Sequence, residues 1–156
     1  MSRVAAALAT SRIRLAFSAA SKSQVLDEAG RLFAAHEGWE PAYVTERLAA
    51  RERVGSTGLG QGVAIPHARL QGLRRAVAAF IRLDSPVAFD APDGKPVSDF
   101  LVLLVPEDAA EEHLQLLAEA AEMFNDRRFR DLLRRQSDAP GVQRAFAQWP
   151  AVAGAH

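Results

Sequence analysis

The sequence predicts an α/β domain, a β-sheet covered on its faces by helices. Three observations point there. The segments "RAVAAFIRL", ending at Leu83, and "SDFLVLLVP", ending at Pro106, are almost continuously apolar, as strands buried on both faces are. Stretches with helical apolar spacing lie on either side of them in the chain. Strands interspersed with helices in this way imply a sheet with helices covering its faces. With 156 residues, 49% of them hydrophobic and 24% charged, the chain is read as a single domain over 1–156, with its core over about 10–148.

In order along the chain, "RIRLAF" alternates around Ile13, Leu15 and Phe17 and reads as a first strand. "SKSQVLDEAGRLFAAHEG" then places Val25, Leu26, Ala29, Leu32 and Phe33 at helical spacing, with serine as N-cap and Gly38 as stop. A second helix opens near Pro41, a favoured early helical residue, and turns Val44, Leu48 and Ala49 inward. "GVAIP" is a short buried strand. The Pro-Asp-Gly turn within "DAPDGKP" joins the two apolar strands. Two helices come next, Asp108 to Phe124 and Asp126 to Arg135, and a third covers Val142 to Trp149.

Composition removes several function classes. Lys plus Arg and Asp plus Glu both number 19, so no positive excess points to nucleic acid. The absence of cysteine excludes disulfides, thiolate nucleophiles and cysteine-held metals. The apolar run Val4 to Ala9 is too short for a secretion signal, and Arg12 and Arg14 break any continuation of it. No window approaches a membrane span, so a cytoplasmic protein without membrane insertion is expected. The arginines of 127–135 lie opposite Phe129, Leu132 and Leu133 and read as a solvated helix face, or as a surface for an acidic protein partner.

The stretch "GSTGLGQGVAIPHARL", from Gly55 to Leu70, is the most informative. Pro66 fixes its own φ and holds Ile65 extended, so His67 leaves a strand end in a nearly fixed direction. Gly55, Ser56, Thr57 and Gly58 form a turn whose backbone N–H groups and hydroxyls suit a phosphate, and Arg51 and Arg53 bring guanidinium groups nearby. The same residues also read as a polar turn ending in an exposed histidine. No P-loop lysine comes after the glycines, and no dinucleotide fingerprint, zinc motif or serine-hydrolase elbow is present. His113 shares a helix face with Leu116, Leu117, Ala120 and Phe124. It reads either as a hydrogen-bonded core residue or as a neutral imidazole that donates at one nitrogen and accepts at the other. His36, at a helix end, and His156, at the terminus, are read as incidental.

"RERVGSTGLGQGVAIPHARL" resembles the active-site stretch of phosphotransferase-system enzyme IIA domains of the fructose/mannitol type, most closely the nitrogen-regulatory branch. The resemblance continues through "AVAAFIRLDSPVAFDAPDGKPV", "LVLLVPED" and "HLQLLAEAAEMFND". It implies a mixed β-sheet sandwiched between helices, with no metal and no organic cofactor. It also implies a phosphoryl group carried on His67, with Arg51 and His113 lining the phosphorylation site. Ala68 stands where many members have glycine. The donor implied is an HPr-like phosphohistidine carrier. The attacking atom is expected to be Nε2, with Nδ1–H held by a backbone carbonyl. The resemblance is compatible with two roles. One is a regulator whose phosphorylation state selects targets such as transport components or sensor kinases. The other is a stand-alone sugar-specific carrier feeding a separate IIB component. The lack of a fused IIB-like or transmembrane segment fits the regulator without excluding a separate IIB partner, and it is the resemblance to the nitrogen-regulatory branch that points to regulation.

Overall fold

The structure, a computed structural model, describes residues 2–108 and 110–149. His156 lies outside the described residues, as does the side chain of His36.

The chain opens with a helix that its sequence does not announce, α1 (Arg3–Ala7). The Ser2 hydroxyl caps it by accepting the Ala5 N–H. It is too short to stand alone in water and forms because Val4 and Ala5 are buried against the final helix, whose Phe146 carbonyl accepts the Ser2 hydroxyl at 2.8 Å. Strand β1 (Leu8–Phe17) starts directly after it, and so begins earlier than the alternation in the sequence suggests.

Helix α2 (Lys22–Glu37) is capped by Ser21, which accepts the Gln24 N–H, and stops at Gly38 with φ 77°. Helix α3 (Pro41–Val54) begins at its proline. The two helices pack closely because Gly30 has no side chain. A Cβ there would collide with Thr45 Oγ1 and lie 2.7 Å from the Pro41 carbonyl.

Three short strands come next: β2 (Gly58–Gly60), β3 (Val63–Ala64) and β4 (His67–Leu70). The long pair β5 (Val77–Val87) and β6 (Val97–Pro106) is joined by the expected turn. Helices α4 (Ala110–Asn125), α5 (Arg127–Arg134) and α6 (Ala139–Gln148) complete the chain, with Asp126 and Asp138 capping the last two.

The six strands form one mixed sheet in the order β1-β5-β6-β3-β2, and β4 also pairs with β6. β1 runs parallel to β5, β5 and β6 form an antiparallel hairpin, and β3 and β4 both run parallel to β6. The apolar character of β5 and β6 is explained by their position, since helices cover both faces. Ala79, Ile81, Phe100 and Val102 face α2 and α3. Ala78, Phe80, Leu101 and Leu103 face α1, α4, α5 and α6. The charged residues of β5 and β6 that enter this core are paired. Arg82 meets Asp99 at 2.9 Å and also donates to the Leu133 and Gln136 carbonyls at the end of α5.

The closely spaced glycines also have a packing explanation. A Cβ at Gly58 would lie 2.9 Å from the Ala91 side chain, and Gly60 takes φ 90° against Asp93. Both let the chain close against the turn between β5 and β6.

Candidate functional site

Pro66 divides what would be one strand into β3 and β4, which lie in succession along the same side of β6. Within β4 the period of two sends Ala68 and Leu70 into the core beneath α3 and turns His67 and Arg69 to the other side. Among the described residues no strand lies beyond β4. The resulting depression at the sheet edge, about 460 Å³, lies between α3, which contributes Arg47, Ala50 and Arg51, and α4, which contributes His113, Leu114 and Leu117.

His67 is half-buried there. Its Nδ1 lies 2.8 Å from the Ile65 carbonyl oxygen. That oxygen can only accept, so Nδ1 carries the proton and Nε2 keeps its lone pair. Burial, opposed by the hold on Ile65, takes its pKa below the usual value, and the positive charges of Arg51 and Arg69 act in the same direction. Glu52 acts against them. The ring is neutral at neutral pH.

His113 packs edge-on against His67, ring centres 5.9 Å apart and planes at 71°. Its Nδ1 accepts the Arg69 Nε–H at 3.2 Å. A guanidinium can only donate, so here it is Nε2 that carries the proton. That N–H is buried and has no partner among the described residues. Burial depresses the pKa of His113, and Arg69 and His67 add to the effect. An orphaned buried donor is costly in a folded protein and marks a place where a ligand acceptor is expected.

Arg51 donates through Nη1 to the Gly55 carbonyl at 2.8 Å, which fixes its position at the end of α3. The structure therefore brings His67, His113 and Arg51 to one depression, with Ala68 buried beneath them. It does not place Gly55, Ser56, Thr57 and Gly58 in the lining. The Thr57 N–H and hydroxyl both go to the Glu52 carboxylate. The Ser56 hydroxyl donates to the Phe89 carbonyl at 2.7 Å and accepts the Gly58 N–H. Arg53 turns away and pairs with Glu46.

Three residues of this region are not singled out by the sequence. Arg69 and Arg47 join the depression, Arg47 donating to the Arg69 carbonyl at 3.2 Å. A signal is present for Arg69, two residues beyond His67 and hence on the same strand face. Glu52 comes after Val44 and Leu48 on the buried stripe of α3, at offsets that put a carboxylate among apolar residues. It is held there by Thr57 and by Lys22, whose Nζ is 2.9 Å away. A charge on an apolar stripe is the legible signal. Among the described residues no group of three or more His, Asp or Glu is arranged to hold a metal ion. No helix among them is long and apolar enough to cross a membrane.

Solved structures that superpose on this chain include enzyme IIA proteins. The nitrogen regulatory protein IIA-Ntr from Neisseria meningitidis superposes with a TM-score of 0.88 at 46% identity, covering 93% of this chain and 99% of that one. Enzyme IIAMTL in its complex with phosphorylated enzyme IIBMTL from Escherichia coli gives 0.72 at 20% identity, over 89% and 96%, a likeness of fold alone. The chain belongs to the family described as phosphoenolpyruvate-dependent sugar phosphotransferase system, EIIA 2, whose model matches residues 7–149. It is also 48% identical over 115 residues to the nitrogen regulatory protein of Pseudomonas aeruginosa, across 73% of this chain and 75% of that one.

Proposed function

We propose that His67 is the phosphorylated residue and that the chain is a nitrogen-branch regulatory protein acting through its phosphorylation state. The observation that carries this reading is the pairing of two neutral histidines with opposite open atoms: a lone pair at His67 Nε2 and a proton at His113 Nε2.

In the proposed step, His67 Nε2 attacks the phosphorus of a phosphohistidine on a small HPr-like carrier. The donor N–P bond breaks, and its electron pair returns to the donor imidazole as the new N–P bond forms. Nδ1–H stays on the Ile65 carbonyl throughout, so no proton is lost from the ring. Such transfers ask a protein mainly for alignment and for charge stabilisation. His113 Nε2–H and the Arg51 guanidinium supply the second, and Arg47 and Arg69 add positive charge to the same depression. The Gly55–Gly58 turn serves in this reading by holding Arg51 and the Glu52 end of α3, rather than through N–H groups of its own.

Phosphorylation adds up to two negative charges to a depression lined by Arg47, Arg51 and Arg69, which offsets most of its positive charge and changes the electrostatic face seen by a partner. Transport components and sensor kinases are the kinds of target proposed. The sugar-specific alternative is supported by the fold shared with IIAMTL in its complex with IIBMTL, and by 32% identity over 103 residues to a fructose-specific EIIA component of Haloferax volcanii. The names and identities of the nitrogen regulatory relatives favour the regulatory reading over it.

The test is phosphate transfer from phosphoenolpyruvate through the first enzyme and the histidine carrier of the system, then intact mass at alkaline pH. One phosphate on the wild type and none on a folded His67→Ala variant is expected. Labelling of that variant would overturn the assignment. Efficient passage of the phosphate to a purified mannitol or fructose IIB component would favour the sugar-specific carrier.

A further inference from the structure

We propose that Arg69 is a positioning residue that sets the tautomer of His113. It thereby decides that the second histidine of the site offers an N–H, not a lone pair, to the phosphoryl group. The consequence for transfer rests on the phosphorylation of His67; the tautomer itself does not.

A neutral imidazole can carry its proton on either nitrogen, and burial alone does not choose between them. At His113 the choice is made by one contact, the Arg69 Nε–H on Nδ1 at 3.2 Å. Arg69 is itself held. Its carbonyl accepts two N–H groups of Arg47, and β4 pairs its register with Val105 of β6. The result is a chain of contacts from α3 through β4 to α4 that crosses the depression.

The end of that chain is the unpartnered, buried Nε2–H beside His67. With the opposite tautomer the same position would present a lone pair to the phosphoryl oxygens and repel them. The charge of Arg69 has a second effect, since a cation at this distance opposes protonation of the ring. Among the described residues the groups facing His113 are His67 and Arg69 from β4 and Arg47 and Arg51 from α3, with no carboxylate in the lining. On its own helix, Glu111 and Glu112 are exposed. Every charge facing the ring across the depression is thus positive, and the ring stays neutral.

The experiment uses the full chain labelled with ¹⁵N in its histidines, as wild type, Arg69→Met and Arg69→Lys, with phosphoryl transfer measured in parallel. Met removes the donor and the charge while keeping the stem; Lys keeps a donor and the charge. The wild type is expected to show His113 with an unprotonated Nδ1 and a protonated Nε2 at neutral pH. Arg69→Met is expected to show a mixture of tautomers, an upward move of the His113 titration and a transfer rate lower by about tenfold. Arg69→Lys is expected to restore most of each. A protonated Nδ1 on His113 in the neutral wild type would overturn the proposal. So would an Arg69→Met protein whose His113 signals are unchanged, whatever its rate, because a lower rate alone would mean that Arg69 acts on the phosphoryl group directly. If the wild type takes up no phosphate, the reading of His67 fails while the ¹⁵N pattern still tests Arg69.

Discussion

His67 and His113 carry the same ring 5.9 Å apart, yet the protein holds them in opposite states. On the strand side, a carbonyl accepts the His67 Nδ1–H and leaves Nε2 with its lone pair. On the helix side, a guanidinium occupies His113 Nδ1 and leaves a donor. Burial makes both rings neutral, and only the partner of the second nitrogen separates their roles. Chemical function in this pair therefore depends on neighbours that never touch the reacting atoms.

The comparison can be broken most severely at its nucleophilic member. Replacing His67 should remove all phosphate acceptance, as read by intact mass after transfer from the carrier. Replacing His113 by Ala should leave a protein that is still labelled, but about 100-fold more slowly, since one preorganised donor is lost from the transfer. His113→Gln, which keeps an amide N–H near the same place, should recover part of that loss. Equal rates for Ala and wild type in a single-turnover measurement would separate His113 from the chemistry.

A smaller effect concerns pH. Both histidine pKa values lie below the ordinary 6.5, so acceptance should stay level as pH falls from 8 to 6.5 and decline only below it. The sign for stability is the same. Protonation favours the unfolded chain, whose histidines bind protons first, so this contribution is complete above 6.5 and is lost as pH drops through the folded values. Glu52 works against the depression at His67. Glu52→Gln should therefore move the His67 titration to still lower pH, while weakening the buried tie to Lys22 and Thr57. A histidine-resolved NMR titration checks this, and an upward shift would contradict it.

The smallest effect is expected at Gly55. Its φ of 169° is extended backbone, open to any residue, and no heavy atom lies within 4 Å of a Cβ built there. Gly55→Ala should change stability by less than about 0.5 kcal/mol in a denaturant melt. It should also leave transfer within about twofold. A large loss of transfer would show that a partner needs the bare backbone at this point.

Much of this is legible in the sequence, for physical reasons. The caps at Ser21, Gly38 and Pro41 and the apolar runs of β5 and β6 are local signals, and they mark real elements. Helix α1 is not legible, because five residues have no periodicity to read and form a helix only through tertiary contacts. The location of His67 is set by Pro66, but the strand status of His67–Leu70 is not, since it depends on β6 lying alongside. The glycines are the instructive case. Composition alone suggests a phosphate cradle, whereas Gly58 and Gly60 are required by the turn they pack against. The partner of Thr57 is Glu52, a charge on an apolar stripe whose meaning emerges only once α3 is set against α2.

A free strand edge ordinarily invites another chain to add itself as the next strand, the first step towards aggregation. Among the described residues β4 is such an edge, and it carries the histidine that meets another protein in the proposed function. It is only four residues long, it comes after Pro66, which has no N–H to offer, and it carries the charge of Arg69 at its middle. An approaching protein finds side chains to engage and very little backbone to extend. That edge suits encounters that end, as those of the proposed phosphate acceptor must.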